Sequence, residues 1–246
     1  MTTPANQIAS GLRSLMVEYE TVAHNLANSG TSGFKRRVNA FSAELQRQQR
    51  IGEQHSLLNG SIDLHGSIDF TQGPLKRTEQ PLDIALEGPG FIALETPEGP
   101  RYTRSGTLSL NPLNQLVDAA GRLVAGQDGP IVIPDAAFAG DVRIDADGTV
   151  RTEEMQFGRI RIVEFGDDLG NLAPAGHGCF RADGQAVGLD AQSTRVRQGY
   201  QEQSNVQMMH EMTNLMTLTR LYEANVNVLR KNRENSSTLL EVARTA

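Results

Sequence analysis

Hydrophobic residues recur every three and four positions along the last forty residues of the chain, and no other feature limits the fold as much. Within Asn205 to Ala243 the positions Met208, Met212, Leu215, Thr219, Tyr222, Val226, Leu229, Arg233, Ser236, Leu240 and Ala243 follow a heptad seam, eight of the eleven being apolar. No Pro or Gly follows Gly199. At 1.5 Å per residue one helix of this length extends about 60 Å. A compact domain of 246 residues does not bury that much helix. A second seam, Ile8, Leu12, Leu15, Tyr19, Val22 and Leu26, stands at the opposite end, all six positions apolar. Matched seams at both ends predict terminal helices that pair as a coiled coil, with everything between them carried as an insertion. The plainer alternative is two amphipathic helices packed on the core of an ordinary domain.

The inserted stretch changes period. Residues 5–28 read as a helix that Thr3-Pro4 can start, since Pro suits a first turn, and that Asn28-Ser29-Gly30 stops. Residues 40–51 look helical again through Phe41 and Leu45, and 52–66 are polar, Gly-containing and without period. From about Ile68 short β-like runs follow: 82–86, 91–94, 101–104, 108–110, 115–117, 123–124, 131–133, 142–144, 149–150 and an alternating 159–165. Gly88-Pro89-Gly90, Gly99-Pro100, Asn111-Pro112, Gly129-Pro130 and Asp147-Gly148 supply the turns between them. The expected class is α+β: a helical assembly segment over residues 1–50, a linker over 51–69, an all-β domain of hairpins over 70–200, and a C-terminal helix over 201–246.

Charge and chemistry narrow the function. Residues 1–50 balance at +3, residues 200–246 at zero and the middle at −9, within a net charge of −6. An acidic middle argues against a nucleic-acid surface there, because phosphate requires cations. Lys35-Arg36-Arg37 reads as a solvated helix end. With one cysteine, Cys179, no intramolecular disulfide and no thiolate metal cluster can form. Asp145-Ala146-Asp147-Gly148 opens like a calcium loop but lacks the third acidic ligand and the closing Glu, so it reads as a β-turn. Gly88-Pro89-Gly90 has no helix after it and fails the dinucleotide pattern. The five histidines have no ligand spacing, and His177 with Cys179 has no third, orienting group. Asn235-Ser236-Ser237 fits a glycosylation sequon of the kind that arises by chance. The expectation is no catalytic residue, no cofactor, no metal, no nucleic acid and no small-molecule substrate. With no apolar leader region and no run of 18 apolar residues, composition alone reads as soluble and cytoplasmic, without a Sec-type signal or membrane span.

Short motifs then resemble a known family. Asn25-Leu26-Ala27-Asn28, Thr31 and Gly33-Phe34-Lys35 are similar to the N-terminal motif of the flagellar rod and hook axial proteins. Gln72-Gly73-Pro74-Leu75, Thr78, Pro81-Leu82-Asp83-Ile84-Ala85, Gly88, Gly90-Phe91, Tyr102-Thr103-Arg104, Gly106 and Asn111 match its middle, as do Gln115-Leu116-Val117, Gly121, Gly129-Pro130-Ile131 and Ile133-Pro134. Gly199-Tyr200, Glu202, Ser204-Asn205-Val206, Glu211-Met212, Arg220 and Tyr222-Glu223-Ala224-Asn225 match its end. Length and the lack of a large extra outer domain resemble the proximal-rod type most and the distal-rod type next.

The resemblance implies a structural, non-enzymatic subunit of the bacterial flagellar basal-body rod. It implies export through the flagellar type III apparatus without a cleaved signal, a periplasmic rod location, and assembly with copies of itself and with neighbouring rod and hook subunits. The assembly interface expected on this basis comprises Ile8, Leu12, Leu15, Tyr19, Val22, Leu26, Asn28, Gly33, Phe34, Met208, Met212, Leu215, Tyr222, Val226 and Leu229. The competing readings are a distal-rod or hook subunit and, from another class, a β-domain that binds a ligand on a coiled-coil stalk.

Overall fold

The computed structural model describes residues 4–39, 66–134, 141–183 and 188–245, with backbone alone for 4–10, 167 and 232–245. The helix expected over 40–51 and most of the expected linker lie outside the described residues. Helices and antiparallel strands are both present, and the chain divides into two compact units. One takes the described residues of Met1–Ala27, Arg37–Ser67 and Gln207–Ala246; the other takes Asn28–Arg36 and the described residues of Ile68–Val206.

The first unit is helical apart from the short strand Arg37–Val38. Helix α1 (Pro4–Ala27) begins on the proline that sequence chemistry places there and stops before the Asn-Ser-Gly turn. Helix α2 (Met208–Thr245) is 38 residues long, about 57 Å. Glu211 sits in its first turn, where a carboxylate favours the positive end of the helix dipole. The two helices are neighbours within this unit.

The second unit is β throughout, apart from a short 3-10 turn at Gly166–Asn171. Its main sheet runs Leu172–Pro174, Cys179–Ala182, Arg101–Thr103, Phe91–Glu95, Leu123–Val124, Leu116–Asp118, Leu108–Leu110, with Ile162–Glu164 also pairing Phe91–Glu95. Smaller antiparallel pairings join Arg195–Gln198 to Ile84–Glu87 and Tyr200–Glu202 to Leu75–Arg77, and Arg143–Ile144, Thr149–Arg151 and Gln156–Arg159 form a three-stranded sheet. Strand alternation sorts the apolar residues onto two faces. Ile92 and Leu94 join Ile84, Leu86, Leu116 and Val124 in an aliphatic core, whereas Phe91 joins Val163, Phe165, Leu172 and Phe180 on the other side. The strand Phe91–Glu95 is therefore covered on both faces. Its neighbours on the second side meet edge to face, Phe70 with Phe91 at 5.5 Å and Tyr102 with Phe165 at 4.8 Å.

Two expectations needed correction. The run 159–165 is not one strand: Gln156–Arg159 pairs with Thr149–Arg151, whereas Ile162–Glu164 pairs with Phe91–Glu95. At the break, Ile160 N–H donates to the Gly148 carbonyl and Arg161 N–H to that of Ala125, so the chain changes sheets there. Residues 131–133 make only an isolated bridge, Gln115 to Val132, although Ile131 and Ile133 are fully buried beside it. Asp145–Gly148 forms a hairpin turn closed by Gly148 N–H to the Asp145 carbonyl at 2.9 Å.

Candidate assembly surface

Along α1 the seam positions are unevenly covered. Val22 is buried, Leu12, Leu15 and Leu26 are half-buried, and Tyr19 is exposed with Met16 beside it; the side chain of Ile8 is outside the described residues. Near the C-terminal end of α1, Asn25 is buried. Its Nδ2 donates to the Arg37 carbonyl and its Oδ1 accepts from Arg37 N–H, both at 2.8 Å. Asn39 Nδ2 in turn donates to Glu18 Oε2, Thr21 Oγ1 and the Val17 carbonyl. These side-chain bonds anchor the returning segment Arg37–Asn39 to α1. His24, in the last turn, has its pKa held below the ordinary histidine value by burial and then by the Arg37 cation.

On α2 one stripe is covered. Glu211 is fully buried, Leu218 is 9% exposed, and Leu215, Asn225, Val226 and Leu229 are half-buried. The steps 211, 215, 218, 225, 229 keep heptad spacing, but one phase away from the most apolar reading of the sequence. Met208, Met212 and Tyr222, three of the six α2 positions expected in the interface, are exposed in the single chain. Met208 and Met212 belong to an exposed methionine patch with Met209 (77% exposed) and Met216 (64% exposed), whereas Leu221 and Tyr222 are exposed elsewhere around the helix. Sequence reasoning missed Leu218 and Glu211 because it chose the phase by apolar content, and a buried glutamate counts against that phase. The spacing itself was a usable signal.

Asn28, Gly33 and Phe34 lie in the second unit, in the turn after α1. Thr31 N–H closes on the Asn28 carbonyl at 3.1 Å, and Phe34 is buried. Gly33 adopts φ +68, and a Cβ there would stand 2.4 Å from Ser105 N, so both the backbone angle and the space require glycine. Its N–H donates to the Glu202 carbonyl at 2.7 Å, and Ser32 Oγ donates to the same oxygen at 3.0 Å. Next to it, Lys35 Nζ meets Glu202 Oε1 at 2.6 Å with both side chains fully buried. Burial lowers the Lys35 pKa while Glu202 opposes that shift. Asn205 fastens the same place: its Oδ1 accepts Arg36 N–H at 2.7 Å and its Nδ2 donates to the Asp69 carbonyl at 2.8 Å. The sequence displayed Lys35, Glu202 and Asn205 as motif residues, but only the fold brings positions 170 apart together.

Chemistry of other kinds finds little support. Cys179 is buried and its thiol is pushed up by burial, while His177 is exposed on a turn. Among the described residues no group of three His, Cys, Asp or Glu side chains is placed to hold a metal ion. No described helix is long and apolar enough to cross a membrane.

Two family models match the chain: the flagellar hook protein FlgE/F/G D1 domain over residues 85–152, and the flagellar basal body rod FlgEFG protein C-terminal region over 197–242. Flagellar basal-body rod protein FlgF of Caulobacter vibrioides is 31% identical over 224 residues, covering 91% of each chain. FlgF of Escherichia coli is 31% identical over 245 residues, covering 90% of each. FlgG of C. vibrioides is 32% identical over 246 residues, covering 90% of this chain and 92% of its own.

Proposed function

The chain belongs to the flagellar basal-body rod protein family, and from that membership we propose that its terminal helices are the elements by which it joins the rod. It is a structural subunit of the flagellar basal body that assembles with other rod and hook subunits. The proposed mechanism has no catalytic step. α1 and α2 form a coiled-coil element along the inner stripe through Leu215, Leu218, Val226 and Leu229. The exposed sides of α2, with Met208, Met212 and Tyr222, receive the helices of neighbouring subunits, copies of this chain included. A contact of this kind, repeated without closing, generates a helical tube. Asn28, Gly33 and Phe34 act at the root of the helices by fixing the turn that follows α1.

The observation that carries this reading is the exposed patch Met208, Met209, Met212 and Met216 at the start of α2, beside the stripe that Glu211, Leu215 and Leu218 bury. Methionine suits such a contact because its flexible thioether packs against irregular partners. We place the subunit in the periplasmic section of the rod, of the proximal type, reached through the flagellar export apparatus without a cleaved signal.

Leu215→Asp or Leu229→Asp tests the helices directly. A carboxylate buried in the seam without a partner costs several kcal/mol, so either variant should be secreted but fail to assemble, leaving cells without a complete rod. A complete rod and normal motility would remove the seam from the mechanism. Labelling the protein in purified basal bodies for electron microscopy separates the proximal from the distal position.

A further inference from the structure

Deeply buried charges of both signs gather around Glu202, and they come from widely separated points of the chain. Two cations and one carboxylate meet there. Lys35 Nζ lies 2.6 Å from Glu202 Oε1 and also donates to the Thr71 carbonyl at 2.7 Å. Arg104 is 2% exposed, its Nη1 is 3.5 Å from Glu202 Oε2, and its guanidinium stands 4.9 Å from the centroid of the Phe91 ring. Glu202 Oε1 also accepts Gly73 N–H at 2.9 Å. Asp69 and Glu164 act on Lys35 and Arg104 respectively, but only as weaker influences behind Glu202.

The cations come from residues 35 and 104, and the carboxylate comes from the last strand of the unit, Tyr200–Glu202, which pairs with Leu75–Arg77. The aliphatic core, by contrast, is complete in sequence by Val196. A chain lacking its last segment would hold the whole aliphatic cluster and both cations, with only the weaker influences of Asp69 and Glu164 to offset them. An unpaired buried charge costs an amount comparable with the whole net stability of a domain.

We propose that Glu202 is a completion lock: the β unit becomes stable only when its final strand delivers the carboxylate that neutralises Lys35 and Arg104. A chain that emerges from its N-terminus, as every chain does during synthesis, is thereby kept from closing the β unit early, when exposed strands and premature packing are most hazardous. The lock is a property of the fold and stands apart from the rod assignment.

Full-length variants test it. Glu202→Gln keeps the shape and an acceptor for Gly73 but removes the charge, and should lower the urea midpoint of the β unit by about 1.5 M or more. Adding Lys35→Met and Arg104→Met removes the stranded cations, and the triple variant should recover at least half of the lost midpoint, or regain a cooperative transition if the single variant has none. A Glu202→Gln midpoint within about 0.3 M of the parent overturns the lock. So does a triple variant no more stable than Glu202→Gln, because Glu202 would then act through packing and hydrogen bonds rather than charge.

Discussion

The two units treat their large apolar side chains in opposite ways. In the β unit, Phe91, Ile92, Leu94, Leu116 and Ile133 are fully buried, and among the described residues the four large hydrophobics left exposed, Leu113, Val132, Met155 and Leu189, come from separate loops and strands. The described side chains of the two helices expose nine, Met16 and Tyr19 on α1 and Met208, Met209, Met212, Met216, Leu221, Tyr222 and Val228 on α2, seven of them within 21 residues. The β unit satisfies its hydrophobic surface internally. The helices carry an apolar surplus left open among the described residues, a division that suits the proposed pairing of a stable folded part with an adhesive part in one chain.

The sharpest way to break this comparison is to damage each core in turn. Leu94→Ala should cost the β unit about 2–5 kcal/mol of stability in urea unfolding. Leu218→Ala, although it removes the best-covered apolar side chain of α2, should cost the isolated chain well under half of that. Equal losses would mean that the helices are held as firmly in the free chain as the strands are.

Gly33→Val ranks next. It places a β-branched residue at φ +68 with its Cβ against the Ser105 backbone. The strain alone is worth about 1–3 kcal/mol, so thermal unfolding should shift downward and rod assembly should weaken. An unchanged melting temperature would show that the turn after α1 can rearrange.

Some of this was legible in the sequence. The helix over 5–28 and the hairpins from 82 to 124 followed from local periodicity and from turn residues at their ends, both of which act over a few residues. The split of 159–165 was not legible, since Ile160 and Ile162 alternate perfectly and only the supply of two different partner sheets breaks the strand. Nor was the role of Lys35 and Glu202: three basic residues in a row read as solvated, and a counter-charge 167 positions away has no local trace. The phase of α2 was hidden because Glu211 and Asn225 occupy its covered side.

Removing methionines from the exposed patch tests the adhesive side alone. Met209→Ser with Met216→Ser should change the stability of the free chain by no more than about 0.5 kcal/mol, yet reduce assembly measured by sedimentation or by motility. A stability loss as large as that of Leu94→Ala would mean that this face is already packed in the free chain. The smallest effect expected is that of pH on the helical unit. His24 titrates below 6.5 in the folded chain, so the unfolded chain binds its proton first as pH falls. Helix stability should be full above about pH 6.5 and decline below it, and His24→Gln should flatten that slope in thermal melts followed by circular dichroism at pH 7.5 and 5.5. A slope unchanged by the substitution would assign the pH response to other groups.

The four methionines between Met208 and Met216 also give the chain a chemical clock. Thioethers open to solvent are oxidised to sulfoxides, and each sulfoxide turns an apolar contact polar. Under the proposed assembly, oxidation of these exposed methionines would weaken joining, and a neighbour covering the face would shield the same sulfur atoms. The subunit would then be most perishable before it assembles and most durable afterwards.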